Sequence, residues 1–411
     1  MHTDILNKEN YSEKERRSIE ILEILRRRGP ISRPDISKEM NLNVVTISNY
    51  LEDFLRNKLV QEKEYDVSEG GRRPVLLDLN AQGGYTIGVG LNLMNMVGLL
   101  VDLKGNIITK TQIARPKPSV KDIAECLLEV IREILRRSKD CTPQIKGIGV
   151  GIAGLINKKD GSVRWPQKVD HHYTYASVDI PLRSLIEKEF DFPVLIENDA
   201  NAACFGEHWL DLGRDYRNVL YMFSGVGCGL LINGELYRGS QGYAGEVAIS
   251  NYKEEELFNC TMGNGCFIKR WEIDLGIVAH AKQLFMKEKE AAEEFFKLTS
   301  SHIDNVDLKS VFIAARSKNP IALAALELAA KRLGIKIAYL VNFINPEIVV
   351  IGGGLEEAGE EFLKKVTAVI KEWAFRESTE DLKVVYSHLR ENAVSLGAAS
   401  LVTERIFAGL L

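Results

Sequence analysis

Asn198 and Asp199 close the apolar run Pro193–Glu197 and precede the helical stretch Ala200–Trp209. A carboxylate at the end of a buried strand can project into a crevice, where it accepts hydrogen bonds from hydroxyls. An amide beside it both accepts and donates. The same two residues also suit the cap of the following helix, and capping is compatible with holding a ligand. Two glycine-rich stretches, Ser224-Gly225-Val226-Gly227-Cys228-Gly229 and Gly352–Gly354, have the composition of phosphate-cradling loops. Turns of this kind are more often structural. Near the start of the chain a third set has the chemistry of duplex recognition. Arg33 and Lys38 suit backbone phosphates. Asn49 suits adenine and Thr46 a thymine methyl, with Asn43 and Ser48 beside them. Arg72 and Arg73 suit a minor groove.

The elements that must position the third set are legible in residues 1–80, where Gly29 is the one glycine before Gly70. Ile19, Ile21, Leu22, Ile24 and Leu25 mark the buried face of a helix from about Ser12 to Arg28, stopped by Gly29–Pro30. Ser32 caps a short second helix with Pro34 in its first turn, ending near Met40. After a tight turn at Asn41–Leu42, Asn43 caps a third helix reaching about Lys58. Its buried side is expected to hold Val45, Ile47, Leu51, Phe54 and Leu55. Its exposed start is expected to hold Asn43, Val44, Thr46, Ser48 and Asn49. Strands on either side of the turn containing Gly70–Gly71 complete a winged helix-turn-helix, with Arg72 and Arg73 at the wing tip. The alternative is a three-helix protein-interaction module with a solvated charged face.

From Gly83 onward, strand-like runs alternate with amphipathic helices at 119–138, 181–190, 321–344 and 356–375. This alternation predicts an α/β architecture. Two runs, Thr86–Ile108 and Val219–Gly239, share a pattern of strand, glycine-containing turn, strand and polar turn. They predict two similar lobes, each opening with a β-hairpin, around a ligand cleft.

Composition limits the function classes. The 411 residues are 45% hydrophobic and 27% charged, as expected of a folded globular chain. Lys and Arg total 53 against 57 Asp and Glu, so any contact with nucleic acid must be local. Six cysteines are too few for a disulfide scaffold. The polar start does not resemble a signal peptide, and the longest apolar run, Ile148–Ile156, is too short for a membrane span. A cytoplasmic protein without membrane association is expected.

Several stretches in order resemble transcriptional regulators of the ROK family (repressors, open reading frames and sugar kinases), above all its sugar-responsive repressors of the xylose and N-acetylglucosamine type. They are Gly70–Asn80, Val150–Trp165, Ile196–Leu210, Ser224–Gly229, Tyr237–Glu246, Pro346–Leu355 and Ser395–Leu401. The resemblance implies a winged helix-turn-helix over residues 1–80, followed by an actin-like (ribonuclease H-like) two-lobed α/β ROK domain. Residues 81–198 with 391–411 would form the small lobe. Residues 199–390 would form the large lobe, with the effector cleft and a dimerisation surface.

The resemblance also assigns roles. Asp199 matches the base of the family's kinases, while the first phosphate loop, Asp-x-Gly-Gly-Thr in those kinases, reads Gly90-Leu91-Asn92-Leu93-Met94 here. Asn198, Asp199 and Glu246 match sugar-contacting positions. A neighbouring Gly and His have become Ala248 and Ile249, and a later Glu is replaced by Ile268. Trp165 and Gln167 fall where further sugar contacts lie. The family's structural zinc site is reduced to Cys260 and Cys266, with Met262 in place of a third cysteine and Ile249 in place of the His; two thiols are too few for zinc.

The expected protein is therefore a repressor of sugar-utilisation genes that carries no cofactor. It would bind a double-stranded palindromic operator as a homodimer or tetramer and hold a carbohydrate effector in the cleft. The alternatives are an ATP-dependent sugar kinase with an accessory DNA module, and a regulator whose cleft takes no sugar.

Overall fold

Ser12 opens helix α1 (Glu13–Arg28) through a reciprocal cap: its hydroxyl accepts from the Glu15 N–H, and the Glu15 carboxylate accepts from the Ser12 N–H. Strand β1 (Ile31–Ser32) leads into helix α2 (Arg33–Met40), capped by Ser32 with Pro34 in its first turn. Asn41 adopts a left-handed conformation (φ 51°), which Asn tolerates better than most residues, and so turns the chain into helix α3 (Val44–Arg56). Strands β2 (Val60–Lys63) and β3 (Leu76–Leu79) pair antiparallel, and β1 adds to the other side of β3. The structure is a computed structural model describing residues 11–63, 75–116, 120–169, 172–211, 215–224, 227–247 and 275–409; at 120, 165–169 and 172–178 it describes the main chain alone.

Two five-stranded sheets follow, and they share one topology. The first contains β4 (Tyr85–Leu91), β5 (Asn95–Asp102), β6 (Ile107–Ala114), β7 (Ile145–Ile152) and, after the small sheet β8 (Leu155–Asn157), β9 (Ser162–Val169) and β10 (His172–Ile180), β11 (Val194–Asn198). The order is β6-β5-β4-β7-β11: an antiparallel meander, then parallel strands. The second sheet contains β12 (Val219–Phe223), β13 (Gly227–Ile232), β14 (Glu235–Leu236), β15 (Ile348–Gly352) and β16 (Lys383–Tyr386). Its order, β14-β13-β12-β15-β16, repeats that of the first. The two hairpin-led lobes expected from the sequence are therefore present.

Helices α4 (Val120–Arg137), α5 (Leu182–Phe190) and α6 (Asp199–Leu210) accompany the first sheet and its junction with the second. Helices α7 (Ile277–Phe285), α8 (Lys289–Thr299), α9 (Leu308–Arg316), α10 (Pro320–Ile344) and α11 (Glu360–Trp373) build the second lobe. The helix expected to begin at 356 begins at Glu360. Leu355–Ala358 is a 3-10 turn, and Gly359 (φ 85°) separates the two.

The last helix, α12 (Ala393–Gly409), returns to β4, β7 and α6 and lies almost wholly buried. It approaches so closely because glycines line the contact from both sides: a side-chain carbon at Gly88 of β4 would run into the Ser395 carbonyl of α12, and one at Gly397 of α12 into the Ala202 carbonyl of α6. Helix α12 also carries the N-terminal unit. Phe54 of α3 and Phe407 of α12 are fully buried and meet edge to face, with centroids 5.1 Å apart. The Arg26 guanidinium lies 4.4 Å over the Trp209 ring of α6. Buried Asp78 of β3 accepts Lys104 and Lys63, each at 2.7 Å. Burial alone would raise the Asp78 pKa, but the two lysines outweigh it and hold the pKa below its ordinary value. Residues 11–63 and 75–79 thus share a continuous apolar core with the lobes.

Candidate functional site

Strand β11 ends at Asn198 and α6 begins at Asp199, so the acid and amide sit at the mouth of the first sheet. The Asn198 side-chain oxygen accepts from the N–H groups of Ala200 (3.0 Å) and Asn201 (3.2 Å), and so caps α6. Asp199 is buried, and its carboxylate accepts from the Ala200 N–H at 2.9 Å. Burial pushes its pKa up to about 6, against the pull of that N–H and of Arg115. Glu246 reaches the same place from the second lobe. It forms a β-bridge with Gly227, and Gly227 lies against Ala200 at the start of α6. The surrounding protein and the charge of Asp199 push Glu246 up to about 7, although its side chain stays open to the cleft. The structure therefore brings Asn198, Asp199 and Glu246 together. Ala248, Ile249, Cys260, Met262, Cys266 and Ile268 lie outside the described residues, as do the side chains of Trp165 and Gln167. Among the described residues no group of three His, Cys, Asp or Glu could hold a metal ion.

These raised carboxyls fix the sign of a pH dependence. A carboxyl whose pKa is higher folded than unfolded binds extra protons when folded, so its contribution to stability falls as pH rises through that window. Asp199 (about 6), Glu246 (about 7) and buried Glu356 (about 7) all have this sign, against ordinary values of 3.8 and 4.5. Glu246 contributes less because water screens it. Lys336, lowered by burial to about 8, acts above this range. The thermal midpoint is expected to rise by a few degrees as pH falls from about 8 to about 6, and Glu356→Gln to flatten the rise. Thermal melts across that range check this; a fall would refute the assignment.

On the other side of the cleft, the turn between β4 and β5 uses its own backbone donors. The Asn92 side-chain oxygen accepts from the N–H groups of Met94 (2.9 Å) and Asn95 (2.8 Å). The Asn92 N–H donates to the Asn95 carbonyl at 2.9 Å, and the Leu93 N–H to the Gly353 carbonyl of the opposite lobe at 3.1 Å. Leu93 and Met94 pack onto the second lobe's core beside Gly354. Each N–H that a phosphate cradle would need from residues 92–95 is therefore already taken, and the turn docks where the two lobes face each other. Residues 225 and 226 of the other glycine-rich loop lie outside the described residues.

The N-terminal unit presents the start of α3 to solvent. Asn49 and Lys38 are exposed, and Thr46 and Ser48 are partly so. The Asn43 side chain is exposed, and its oxygen caps α3 by accepting from the Thr46 N–H at 2.7 Å. Arg33 is held by Glu62 of β2 at 3.0 Å. Arg72 and Arg73 lie outside the described residues. Val45, expected on the buried side, is 71% exposed. Ile47, Leu51 and Phe54 set the buried stripe, and Val45, two residues before Ile47, points to the opposite side of the helix. With Val44 it forms an apolar step at the head of α3, of the kind that packs on thymine methyls.

Residues 86–405 match the ROK family across both lobes. The chain belongs to the ROK family. It is 32% identical over 381 residues to a xylose repressor of Caldicellulosiruptor bescii, covering 90% of this chain and 91% of that one. Among solved structures, a ROK family transcriptional regulator, a homologue of the Escherichia coli MLC protein, aligns over 97% of both chains with a TM-score of 0.71 and 23% identity. A ROK family glucokinase from Streptomyces griseus, in complex with glucose and AMPPNP, aligns over 77% of this chain and 99% of that one, with a TM-score of 0.64 and 26% identity. Repressors and kinases thus share the ROK lobes.

The ROK cleft also holds residues that reading the sequence missed. Glu197, buried, accepts from the Asn198 N–H (3.0 Å), from the Asn201 side-chain amide (3.2 Å) and from Arg238 Nε (2.8 Å). Arg115, partly buried, donates to the Asn92 carbonyl and acts electrostatically on Asp199. A glutamate ending the apolar run Val194–Ile196 was the available signal, since a buried carboxylate requires a partner.

Proposed function

We propose that this ROK protein is a sugar-responsive, sequence-specific DNA-binding repressor. Residues 1–80 serve as a winged helix-turn-helix whose recognition helix is α3. The sugar effector is held at Asn198, Asp199 and Glu246. The observation that carries this reading is the turn at Asn92–Asn95, whose donors are spent on the turn itself and on the opposite lobe while the polar half of the cleft is kept. That arrangement supports binding a sugar without transferring phosphate to it. The exposed head of α3 supports major-groove contact through Asn49, Thr46, Val44 and Val45, with Lys38 on phosphate. The resemblance to xylose repressors supports D-xylose as the first effector to test. The protein would act as a homodimer or tetramer on a palindromic operator, in the cytoplasm, without zinc or another cofactor. Among the described residues no helix is long and apolar enough to cross a membrane.

The test is binding to DNA from the protein's own upstream region at about 0.15 M salt, with and without D-xylose, D-glucose or N-acetylglucosamine. Specific retention that one sugar changes at least tenfold is expected. Absence of specific retention would sink the reading, and ADP formation with any of the sugars would favour the kinase. Asn49→Ala is expected to cost about 1–3 kcal/mol and to relax preference at one base position. Lys38→Ala is expected to weaken all sequences alike and to reduce the salt slope by about 1. Titrations at several salt concentrations separate the two.

A further inference from the structure

Strands β8, β9 and β10 form the small sheet, which packs beside β11, and successive side chains alternate between its two faces. Ile156, Val163 and Ile180 point into the core of the first lobe. The opposite face is polar. Asn157 stands across from Ser162, and Arg164 across from Asp179. Arg164 donates to the Asp179 carboxylate through Nε at 3.0 Å and Nη2 at 3.5 Å. In the turn between β8 and β9, the Asp160 carboxylate accepts from the Asn157 side-chain amide (3.2 Å) and from the Ser162 N–H (2.8 Å). A pocket of about 320 Å³ opens over these side chains, and Tyr243 of the second lobe lines it as well.

The segment that carries Tyr243 joins this pocket to the candidate sugar site. Near its start, Arg238 Nε donates to Glu197 of β11 at 2.8 Å. Gly242 lies against the Lys158 side chain, next to Asn157. The Arg238 carbonyl accepts from the Ala244 N–H at 3.0 Å, and the Gly245 carbonyl accepts from the Cys228 N–H at 2.9 Å. Glu246 then bridges Gly227 beside Ala200. Tyr243 and Glu246 are three residues apart, so their main chains are separated by at most about 11 Å.

The lining selects a class of ligand. Two carboxylates, Asp160 and Asp179, stand against one guanidinium, so the pocket does not favour a phosphate or a carboxylate. Among the described residues no group of three His, Cys, Asp or Glu could hold a metal ion. Arg164 spends two of its five N–H groups on Asp179, and both carboxylates keep lone pairs. Side chains that hold one another in this way present donors and acceptors at set positions, as neighbouring sugar hydroxyls require. The Tyr243 ring is 40% exposed and offers an apolar face to the C–H side of a pyranose.

We propose that the sugar site continues into this pocket and that the effector is a short oligosaccharide: one unit rests on Asn198, Asp199 and Glu246, and the next on Tyr243, Arg164 and Asp160. This rests on the sugar-responsive reading above. None of Tyr243, Arg164 and Asp160 is among the positions that the family resemblance marks as touching sugar. The second unit touches both lobes, since Arg164 and Asp160 belong to the first and Tyr243 to the second. Contact with both is what lets a ligand favour one arrangement of the lobes over another.

Calorimetric titration of the full-length protein tests this. The sugars are D-xylose with xylobiose, D-glucose with cellobiose and with maltose, and N-acetylglucosamine with chitobiose. At least one disaccharide is expected to bind at least tenfold more tightly than its monosaccharide. That ratio is expected to fall below threefold in Tyr243→Ala and in Ser162→Tyr, which fills the pocket, and to persist in Tyr243→Phe, which keeps the ring. A residue that merely supported the fold would weaken both sugars alike and leave the ratio unchanged. If a monosaccharide binds and no disaccharide binds more tightly, the extended site is overturned and the repressor reading stands. A disaccharide advantage that survives both Tyr243→Ala and Ser162→Tyr also overturns it. Binding of none of these sugars overturns the extended site together with the sugar assignment.

Discussion

Phe407→Ala is expected to destabilise the whole protein by about 3–5 kcal/mol. It is also expected to weaken operator binding under conditions where the lobes remain folded. Phe407 is fully buried on α12, and its ring meets Phe54 near the end of α3. Removing the ring opens a cavity between the helix that would enter the groove and the helix that packs on β4, β7 and α6. The lost edge-to-face contact adds about 0.5–1.5 kcal/mol to the lost burial, within that range. Phe407→Leu, which keeps most of the volume, should cost much less. Denaturant unfolding followed by two probes, one on α1 and one on the second sheet, measures this. In the wild type the two transitions should coincide, because residues 11–63 and 75–79 share a core with the lobes. An unchanged midpoint in Phe407→Ala would show that the N-terminal unit is an independently folding bead.

The same contact marks where reading the sequence stopped. The first three helices were legible to within two residues because Ser12, Ser32, Asn43 and Gly29 act locally, each bonding a backbone group a few residues away. The two hairpin-led sheets were legible because strand period and glycine turns are also local signals. Val45 was misplaced because a hydrophobic residue at the head of a recognition helix has the same letter whether it faces a core or a groove. Asp199 is legible at the end of its apolar strand, but its pairing with Glu246 rests on family resemblance, since 46 residues separate them and only the fold joins them. The Phe54–Phe407 junction and the Glu197–Arg238 pair carry no local signature at all, because each partner satisfies its neighbourhood's pattern without reference to the other. The sequence distinguishes a buried face from an exposed one far better than it names what is buried against it.

Glu197→Ala is the second large effect expected. It leaves the Arg238 guanidinium, 22% exposed, without its carboxylate, and removes the acceptor of the Asn198 N–H and the Asn201 amide. Removing one partner of a buried pair costs about 3–5 kcal/mol, because the desolvated charge stays behind. The partial exposure of Arg238 places this case at the lower end. Glu197→Gln keeps an acceptor and should cost less. Arg238→Met should recover part of the loss in Glu197→Ala, since the double variant buries no orphan charge. The pH dependence provides an internal check. Burial would raise the Glu197 carboxyl, but Arg238 and Lys158 hold it below its ordinary value of 4.5. A carboxyl lowered in this way contributes stability above about 4.5 and loses it as pH falls through the folded value. The gap between wild type and Glu197→Ala should therefore be full at pH 7 and shrink on acidification well below 4.5, opposite to the trend expected from Asp199. Unfolding of both proteins at pH 7 and at about pH 3 tests this. A gap that does not change with pH would show that Glu197 acts through packing and neutral hydrogen bonds, and not through its charge on Arg238.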